Sequence, residues 1–320
     1  MATVLYHVLA SAARMRGALA AVGLTIASAS AAAQPLVHEE GRFAGAGGLE
    51  LYDQAWRPAG PARAVLVVLH GLKDHSSRYA ALAQALVDRG FAVYAFDLRG
   101  HGESPGERVW VDSFDQYLDD LDAFMKLVRQ REPGRPVFLF GHSMGGGIAA
   151  LWTITRQPDL AGLVLSGPAL KPGAGVSRFL IGATKILSAV APHLKVLDLK
   201  DEDFSRDPAV VAAMKVDPLV DHKPGPARTA AELLRAFERI EAHMEDVRVP
   251  LLDMHGTEDR LTNPEGSREL VARASSKDKT LKLYPGLYHD LLHEPEKAQV
   301  MADMVAWLDA RAPKGAPAAR

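Results

Sequence analysis

Residues 136–150 read PVFLFGHSMGGGIAA. The first five form a short apolar run typical of a buried strand, and a helical pattern begins at Ile148. Between them lies a G-x-S-x-G motif, centred on Ser143 and bounded by Gly141 and Gly145. A strand, this motif and a helix in direct succession predict a sharp strand-to-helix turn that exposes the serine. Glycine is expected on both sides, because a Cβ there would collide with the neighbouring strand or helix.

Strands and helices alternate on both sides of this turn, from about residue 42 to residue 311. Short apolar runs predict strands, and apolar residues at helical spacing predict helices. The predicted strands are 64–69, 91–96, 136–140, 161–165, 249–254 and 280–284, and the predicted helices include 79–88, 114–131, 148–155 and 295–310. This order predicts an α/β fold, with a mostly parallel central sheet flanked by helices.

The alternation stops between residues 168 and 241. One helical stripe of apolar residues stands out there: Val176, Phe179, Leu180, Ala183, Ile186, Leu187 and Val190. A segment inserted between two sheet strands lies at their carboxyl ends, where open α/β sheets bind ligands. We therefore expect a cap over an active site, with Phe179, Leu180, Ala183 and Leu187 as candidate substrate-binding residues. The alternative is a surface helix that packs on the core.

The two ends of the chain differ from the rest. Within residues 1–34, Arg14 and Arg16 precede about ten apolar residues, and A-x-A patterns then end at Ala31 and Ala33. This order is typical of a secretory signal peptide, and the apolar stretch is too short to span a bilayer, which takes about 20 residues. The sequence predicts a periplasmic or secreted protein if the leader is cleaved and a cytoplasmic one otherwise. A disordered leader and a start at Met15 are the alternatives.

Residues 35–311 then form the α/β domain, and the Ala- and Pro-rich residues 312–320 are expected to be a disordered tail. Lys and Arg number 37 against 39 Asp and Glu, so no excess of positive charge points to nucleic acid. The chain has no cysteine, which excludes disulfides, thiolate metal sites and cysteine nucleophiles. We expect no metal and no cofactor.

A serine nucleophile needs a base, and the base needs a group to orient it. On this kind of turn the chain order is serine, acid, histidine. Asp259 follows the predicted strand 249–254, and His289 follows the predicted strand 280–284. These two residues are the candidate acid and base for Ser143.

Other acidic residues and histidines compete with these candidates. Asp253 lies inside a predicted strand and Glu258 is one residue from Asp259, so both are expected to be structural. His293 competes with His289 but adjoins the start of the last helix. A structural role is also expected for His75 and His101.

Acyl transfer further needs two backbone donors that bind the oxyanion. One is the N–H of the residue after the nucleophile, Met144, and the other comes from the loop after an earlier strand. The predicted strand 64–69 leads into His70-Gly71-Leu72-Lys73, and Leu72 is the candidate.

Six motifs together resemble the monoacylglycerol lipase and lysophospholipase-like branch of the serine α/β-hydrolases, over roughly residues 45–310. They are HGLKDHSSRY (70–79), FDLRGHGESPG (96–106), FGHSMGGGIA (140–149), SRDPAVV (205–211), HGTEDRLT (255–262) and YPGLYHDLLHEPE (284–296). The resemblance implies an α/β-hydrolase fold with a helical cap inserted after the fourth to sixth strands. It assigns the nucleophile to Ser143, the acid to Asp259, the base to His289, and the oxyanion hole to Leu72 and Met144.

The resemblance also implies a substrate, a single-chain lipid ester such as a monoacylglycerol, and transient contact with lipid surfaces. Lysophospholipase and broad carboxylesterase activity are alternatives, as is a non-catalytic binding protein on this fold. Epoxide hydrolases and haloalkane dehalogenases carry a carboxylate at the position of Ser143, which argues against both.

Overall fold

The computed structural model describes residues 36–173 and 177–314. The predicted leader, Val176 of the stripe and residues 315–320 of the predicted tail lie outside the described residues. Ten strands are present in the described part. They are β1 Leu36–Ala44, β2 Glu50–Pro58, β3 Ala64–Leu69, β4 Phe91–Phe96, β5 Val137–His142, β6 Gly162–Ser166, β7 Lys195–Leu197, β8 Gly225–Pro226, β9 Leu251–Gly256 and β10 Lys279–Tyr284.

Eight of these strands form one sheet in the order β1-β2-β4-β3-β5-β6-β9-β10. From β4 to β10 the neighbours are parallel, whereas β1 and β2 are antiparallel additions at one edge. The central strands β3, β4 and β5 are buried along their whole length, which explains their continuous apolar sequences.

Eight α-helices accompany the strands in the described residues. They are α1 Ala80–Val87, α2 Asp115–Arg131, α3 Met144–Arg156, α4 Arg178–Val190, α5 Pro208–Val216, α6 Ala227–Ala242, α7 Pro264–Arg273 and α8 Lys297–Arg311. Alternate residues of β3 enter two separate apolar cores. Val65 and Val67 pack in the core that includes α2 and α3, and Leu66 and Val68 pack in the core that includes α1 and α8. The predicted α/β fold with helices on both faces of a mostly parallel sheet is confirmed.

The hairpin formed by β1 and β2 was not predicted. The β1 sequence LVHEEGRFA is almost fully exposed and carries three charged residues in its middle, so it lacks the apolar run used to recognise a strand. Nine register pairs with β2 hold it in place. Backbone pairing at an exposed edge therefore decides this element, rather than side-chain burial.

Between β6 and β9 the chain forms α4, α5, α6 and the short pair β7–β8, in the segment where the cap was expected. The apolar stripe of α4 does not pack on the core. Phe179 is 85% exposed and Leu180 51% exposed, while Ala183 and Leu187 are half-buried. The buried side chains of α4 are Thr184 and Ser188, so this helix packs inward through small polar residues and leaves large apolar ones outside.

Candidate active site

Ser143 lies at the turn between β5 and α3. Its φ of 54° is in the left-handed region, which is strained for a residue with a side chain. The turn is held because the Ser143 N–H donates to the Ser166 carbonyl (3.1 Å) and the Ser143 carbonyl accepts from Gly147 N–H (3.1 Å). A Cβ on Gly145 would overlap the carbonyl oxygens of Leu69 and His70. The tight packing explains why glycine occupies this position of the motif.

Asp259 and His289 form a buried pair at the carboxyl ends of β9 and β10. His289 Nδ1 lies 2.7 Å from Asp259 Oδ2, and both side chains are fully buried. The other carboxylate oxygen, Oδ1, accepts the N–H groups of Leu261 (2.8 Å) and Thr262 (2.9 Å). These bonds fix the carboxylate, and an ionised carboxylate only accepts, so His289 carries a proton on Nδ1.

The two groups shift each other's pKa. Burial alone would raise the pKa of Asp259, but the charge of His289 and hydrogen bonds from His255 and His289 hold it well below its usual range. Burial alone would lower the pKa of His289, yet the Asp259 charge outweighs burial and raises it. An ionised acid thus stabilises an imidazolium, as a general base requires after it takes a proton.

The second ring nitrogen of His289, Nε2, is buried and the ring lies close to the serine turn. The His289 ring lies 4.8 Å, centroid to centroid, from the ring of His142, which directly precedes Ser143. Its Nε2 is buried and has no hydrogen-bond partner in the part of the chain that the structure describes. This lone pair is the acceptor that a serine hydroxyl would need. Nδ1 of the base is therefore held by Asp259, and Nε2 has no hydrogen-bond partner among the described residues.

The loop after β3 lies against the serine. A Cβ on Gly71 would come within 3.1 Å of Ser143 Cβ and 3.6 Å of Ser143 Oγ, so Leu72 immediately follows a residue in contact with the serine. Neither the Leu72 N–H nor the Met144 N–H donates to a backbone carbonyl of the described residues. Met144 is the first residue of α3, and the N–H groups of a first helical turn have no partner within the helix. Both remain available to an oxyanion.

A buried ion-pair cluster, missed by the sequence analysis, links this loop to His289. Arg78 donates to Asp74 Oδ1 (2.9 Å) and to Asp290 Oδ2 (2.8 Å). Asp74 in turn accepts the N–H groups of Gly71 (3.3 Å) and His75 (2.8 Å). Asp74 and Arg78 have the i, i+4 spacing of an ion pair, but only the fold reveals their third partner.

The competing residues lie elsewhere. His293 Nδ1 bonds Asp290 Oδ1 at 2.8 Å, His75 Nε2 bonds Asp217 at 3.0 Å, and His101 Nδ1 bonds the Arg99 carbonyl at 2.9 Å. Asp253 is fully buried within β9. The structure thus brings Asp259 and His289 together and leaves these competitors with other partners.

One residue of the segment between β6 and β9 forms a wall of the site. The Phe204 ring packs edge-on against the His289 ring at 5.7 Å, and the Phe204 carbonyl accepts the Asp290 N–H at 2.8 Å. Phe204 directly precedes the motif SRDPAVV, which was the available signal. Within residues 36–173 and 177–314, no group of three His, Asp or Glu side chains is arranged to hold a metal ion. No helix of the same residues is long and apolar enough to cross a membrane.

Comparison with known proteins gives one consistent family. The family described as serine aminopeptidase, S33 matches residues 60–296. A monoacylglycerol lipase of Mycolicibacterium smegmatis is 39% identical over 84% of this chain and 96% of that protein. The human monoglyceride lipase is 35% identical over 86% of this chain and 90% of that protein. The crystal structure of Paleococcus ferrophilus monoacylglycerol lipase is 31% identical, with a TM-score of 0.73 over 87% of this chain and all of that one. The resemblance seen in the sequence motifs is confirmed, and the chain belongs to the serine aminopeptidase S33 family of α/β-hydrolases.

Proposed function

We propose that this protein is a serine carboxylester hydrolase that cleaves monoacylglycerol to glycerol and a fatty acid. The single observation that carries the proposal is the buried Asp259–His289 hydrogen bond beside a strained Ser143. The substrate class is taken from the relatives, which are named as lipases of monoacylglycerol. No metal or cofactor enters the proposed reaction.

In the proposed reaction His289 Nε2 takes the proton of Ser143 Oγ as that oxygen attacks the ester carbonyl. Asp259 keeps the proton of His289 on Nδ1 and stabilises the imidazolium. The N–H groups of Leu72 and Met144 bind the oxyanion of the tetrahedral intermediate. The imidazolium then protonates the leaving glycerol oxygen, and the acyl group stays on Ser143. A water molecule, deprotonated by His289, then attacks the acyl group; the bond to Ser143 Oγ breaks, Oγ takes the proton back from His289, and the fatty acid leaves.

Labelling with a fluorophosphonate and hydrolysis of a monoacylglycerol test the proposal together. Ser143→Ala is expected to abolish both while the melting temperature stays close to that of the parent. Ser276→Ala, at the amino end of β10, is the matched control and should retain both. A parent protein that neither labels nor hydrolyses esters would favour the non-catalytic binding protein, whereas an active Ser143→Ala variant would move the nucleophile elsewhere.

Asp259→Asn tests the acid separately. An amide in place of the carboxylate favours the wrong tautomer of His289, and the loss in kcat is expected to reach about 10⁴-fold. Asp253→Asn should cost far less, since Asp253 makes no contact with His289. Full activity of Asp259→Asn would exclude it as the acid.

A panel of substrates decides among the lipid esters. A monoacylglycerol, a lysophospholipid with the same acyl chain and a p-nitrophenyl ester should be compared by kcat/KM. The proposal expects the monoacylglycerol to be preferred. Preference for the lysophospholipid or equal rates on all three would support the two alternatives, lysophospholipase and broad carboxylesterase, respectively.

We assign transient lipid contact to the exposed apolar face of α4. Four large apolar side chains of this helix are between 51% and 85% exposed: Phe179, Leu180, Ile186 and Val190. Single exposed apolar residues are common, but a row of them along one helix marks an interaction surface. Substrate arriving from a lipid surface would then pass along Ala183 and Leu187, the half-buried border of this face. Leu180→Asp should reduce binding to phosphatidylcholine vesicles and kcat/KM for long-chain esters, and spare butyrate esters. Val216→Asp, at an equally exposed apolar residue of α5, is the control that should do neither.

A further inference from the structure

A second histidine, His255, contacts the carboxylate of Asp259. His255 Nε2 lies 3.1 Å from Asp259 Oδ2, the same oxygen that His289 Nδ1 approaches at 2.7 Å. The His255 side chain is fully buried at the end of β9. Because Asp259 is ionised and only accepts, His255 must carry a proton on Nε2. Asp259 Oδ2 therefore faces two histidines, and the reaction described above uses one of them. The Thr262 hydroxyl also donates to this oxygen at 2.8 Å and lies 3.2 Å from His255 Nε2.

Two further buried groups continue behind His255. Its Nδ1 lies 2.7 Å from Ser267 Oγ on α7, and both carboxyl oxygens of Asp253, two residues before His255 on β9, are buried without a hydrogen-bond partner among the described residues. His255, Ser267 and Asp253 are all fully buried. Burial raises the pKa of Asp253 to about 6, against the opposing effects of His255 and Ser267.

The protons of this group then have one consistent direction. The Ser267 hydroxyl donates to His255 Nδ1 at 2.7 Å, and the other ring nitrogen, Nε2, carries the proton that faces Asp259 Oδ2 at 3.1 Å. Ser267 thus fixes which nitrogen of His255 faces the acid.

We propose that His255 is a positioning residue for the hydrolysis: held by Ser267, it shares the charge of Asp259 and thereby lowers the basicity of His289. The inference rests on the proposed function for its kinetic test. The charge of Asp259 acts on His255 as well as on His289, so it stabilises the imidazolium of His289 less than it would without His255. The other charged or titratable groups that act on His289 are Asp290 and Asp74, with Arg78 paired to both. The ring of His142 also lies against His289, tilted at 46° to it. None of these groups changes in the variants below.

The kinetic test compares His255→Leu with His255→Gln. Leucine removes the donor, and glutamine restores an N–H at the position of Nε2. In the leucine variant we expect the acid limb of kcat/KM to move to higher pH by about one unit. We also expect kcat to fall about tenfold, because one contact that positions Asp259 is lost. KM should stay nearly unchanged, because Asp259 keeps the bonds from Leu261 and Thr262. The glutamine variant should keep the acid limb of the parent.

Ser267→Ala provides a smaller change that is safe for folding. It removes one oxygen and leaves His255 free to change tautomer. We therefore expect the acid limb of kcat/KM to move in the same direction as in His255→Leu, by about half as much. Ser276→Ala, a buried serine that bonds the Asp278 carbonyl, is the matched control and should leave the pH profile unchanged. Low-field proton NMR gives a readout that does not depend on activity. The parent should show two histidine N–H signals from the carboxylate of Asp259, and His255→Leu should lose one of them.

An acid limb that is unchanged in His255→Leu and in Ser267→Ala would overturn the proposal. So would equal shifts in His255→Leu and His255→Gln, since the donor would then be irrelevant. Loss of activity that only follows the melting temperature, with an unchanged pH profile, would show that His255 is a packing residue. If the parent hydrolyses no ester, the proposed function fails while the NMR signals still decide whether both histidines donate to Asp259.

Discussion

Replacing Arg78 with methionine should destabilise the protein and impair catalysis together. The substitution keeps most of the apolar stem and removes the charge that lies between Asp74 and Asp290. The Arg78 side chain is 11% exposed and each carboxylate 4% exposed. Two buried carboxylates would be left with less compensating positive charge. Breaking such a buried ion pair typically lowers the free energy of unfolding by about 3–5 kcal/mol. For a domain of this size the melting temperature should fall by on the order of 10 °C.

The loss should depend on pH. Burial raises the pKa of Asp74 and of Asp290. Arg78 and His70 nevertheless hold the pKa of Asp74 below its ordinary value, and His293 and Arg78 do the same for Asp290. In the parent these carboxylates therefore add stability above about pH 4, which is lost as the pH falls. Without Arg78 burial dominates, the two pKa values rise, and the carboxylates destabilise the fold above them. The gap in melting temperature between variant and parent should thus be wide at pH 8 and narrower at pH 5.

Thermal unfolding at the two pH values and steady-state kinetics provide the measurements. Catalysis should suffer through kcat, since Asp74 holds the Gly71 N–H and Asp290 follows His289. The control is Arg156→Met, whose partners Asp119 and Asp122 are exposed like Arg156 itself and whose loss should cost less than about 1 kcal/mol. Equal destabilisation by the two substitutions, or a gap that does not change with pH, would refute the reasoning.

Three shorter predictions concern the base, the serine turn and the leader. The pKa of His289 is raised above its ordinary 6.5, and the neutral ring is the base. We therefore expect kcat/KM to fall as the pH drops through a value above 6.5. A kcat/KM that is independent of pH down to pH 5 would contradict this. Gly145→Ala should yield little folded protein, as judged by soluble expression and circular dichroism, because its Cβ would overlap two carbonyl oxygens. If the leader is a signal peptide, N-terminal sequencing of protein from the producing cells should start at Ala32 or Gln34, and an intact Met1 or Met15 terminus in the cytosol would exclude export.

Much of the sheet and the serine turn could be read from the sequence because they are encoded locally. The apolar run 64–69 coincides with β3, and 91–96 coincides with β4, since a strand buried on both faces needs an unbroken apolar segment. The motif around Ser143 likewise specifies its turn, because glycine is required at positions two residues away. The loop positions of Asp259 and His289 followed from the ends of the predicted strands.

Only the tertiary structure decided which distant groups meet. Arg78 reaches Asp290 across 212 residues of sequence, and His255 shares an oxygen of Asp259 with His289, although HGTED shows only that the two residues are near in sequence. The apolar stripe of α4 was predictable as a stripe, but its exposure was not, because helical periodicity gives a face and not the direction in which it points. Local patterns specify backbone conformation, whereas burial and long-range ion pairs depend on how the loops at the carboxyl ends of the strands are brought together.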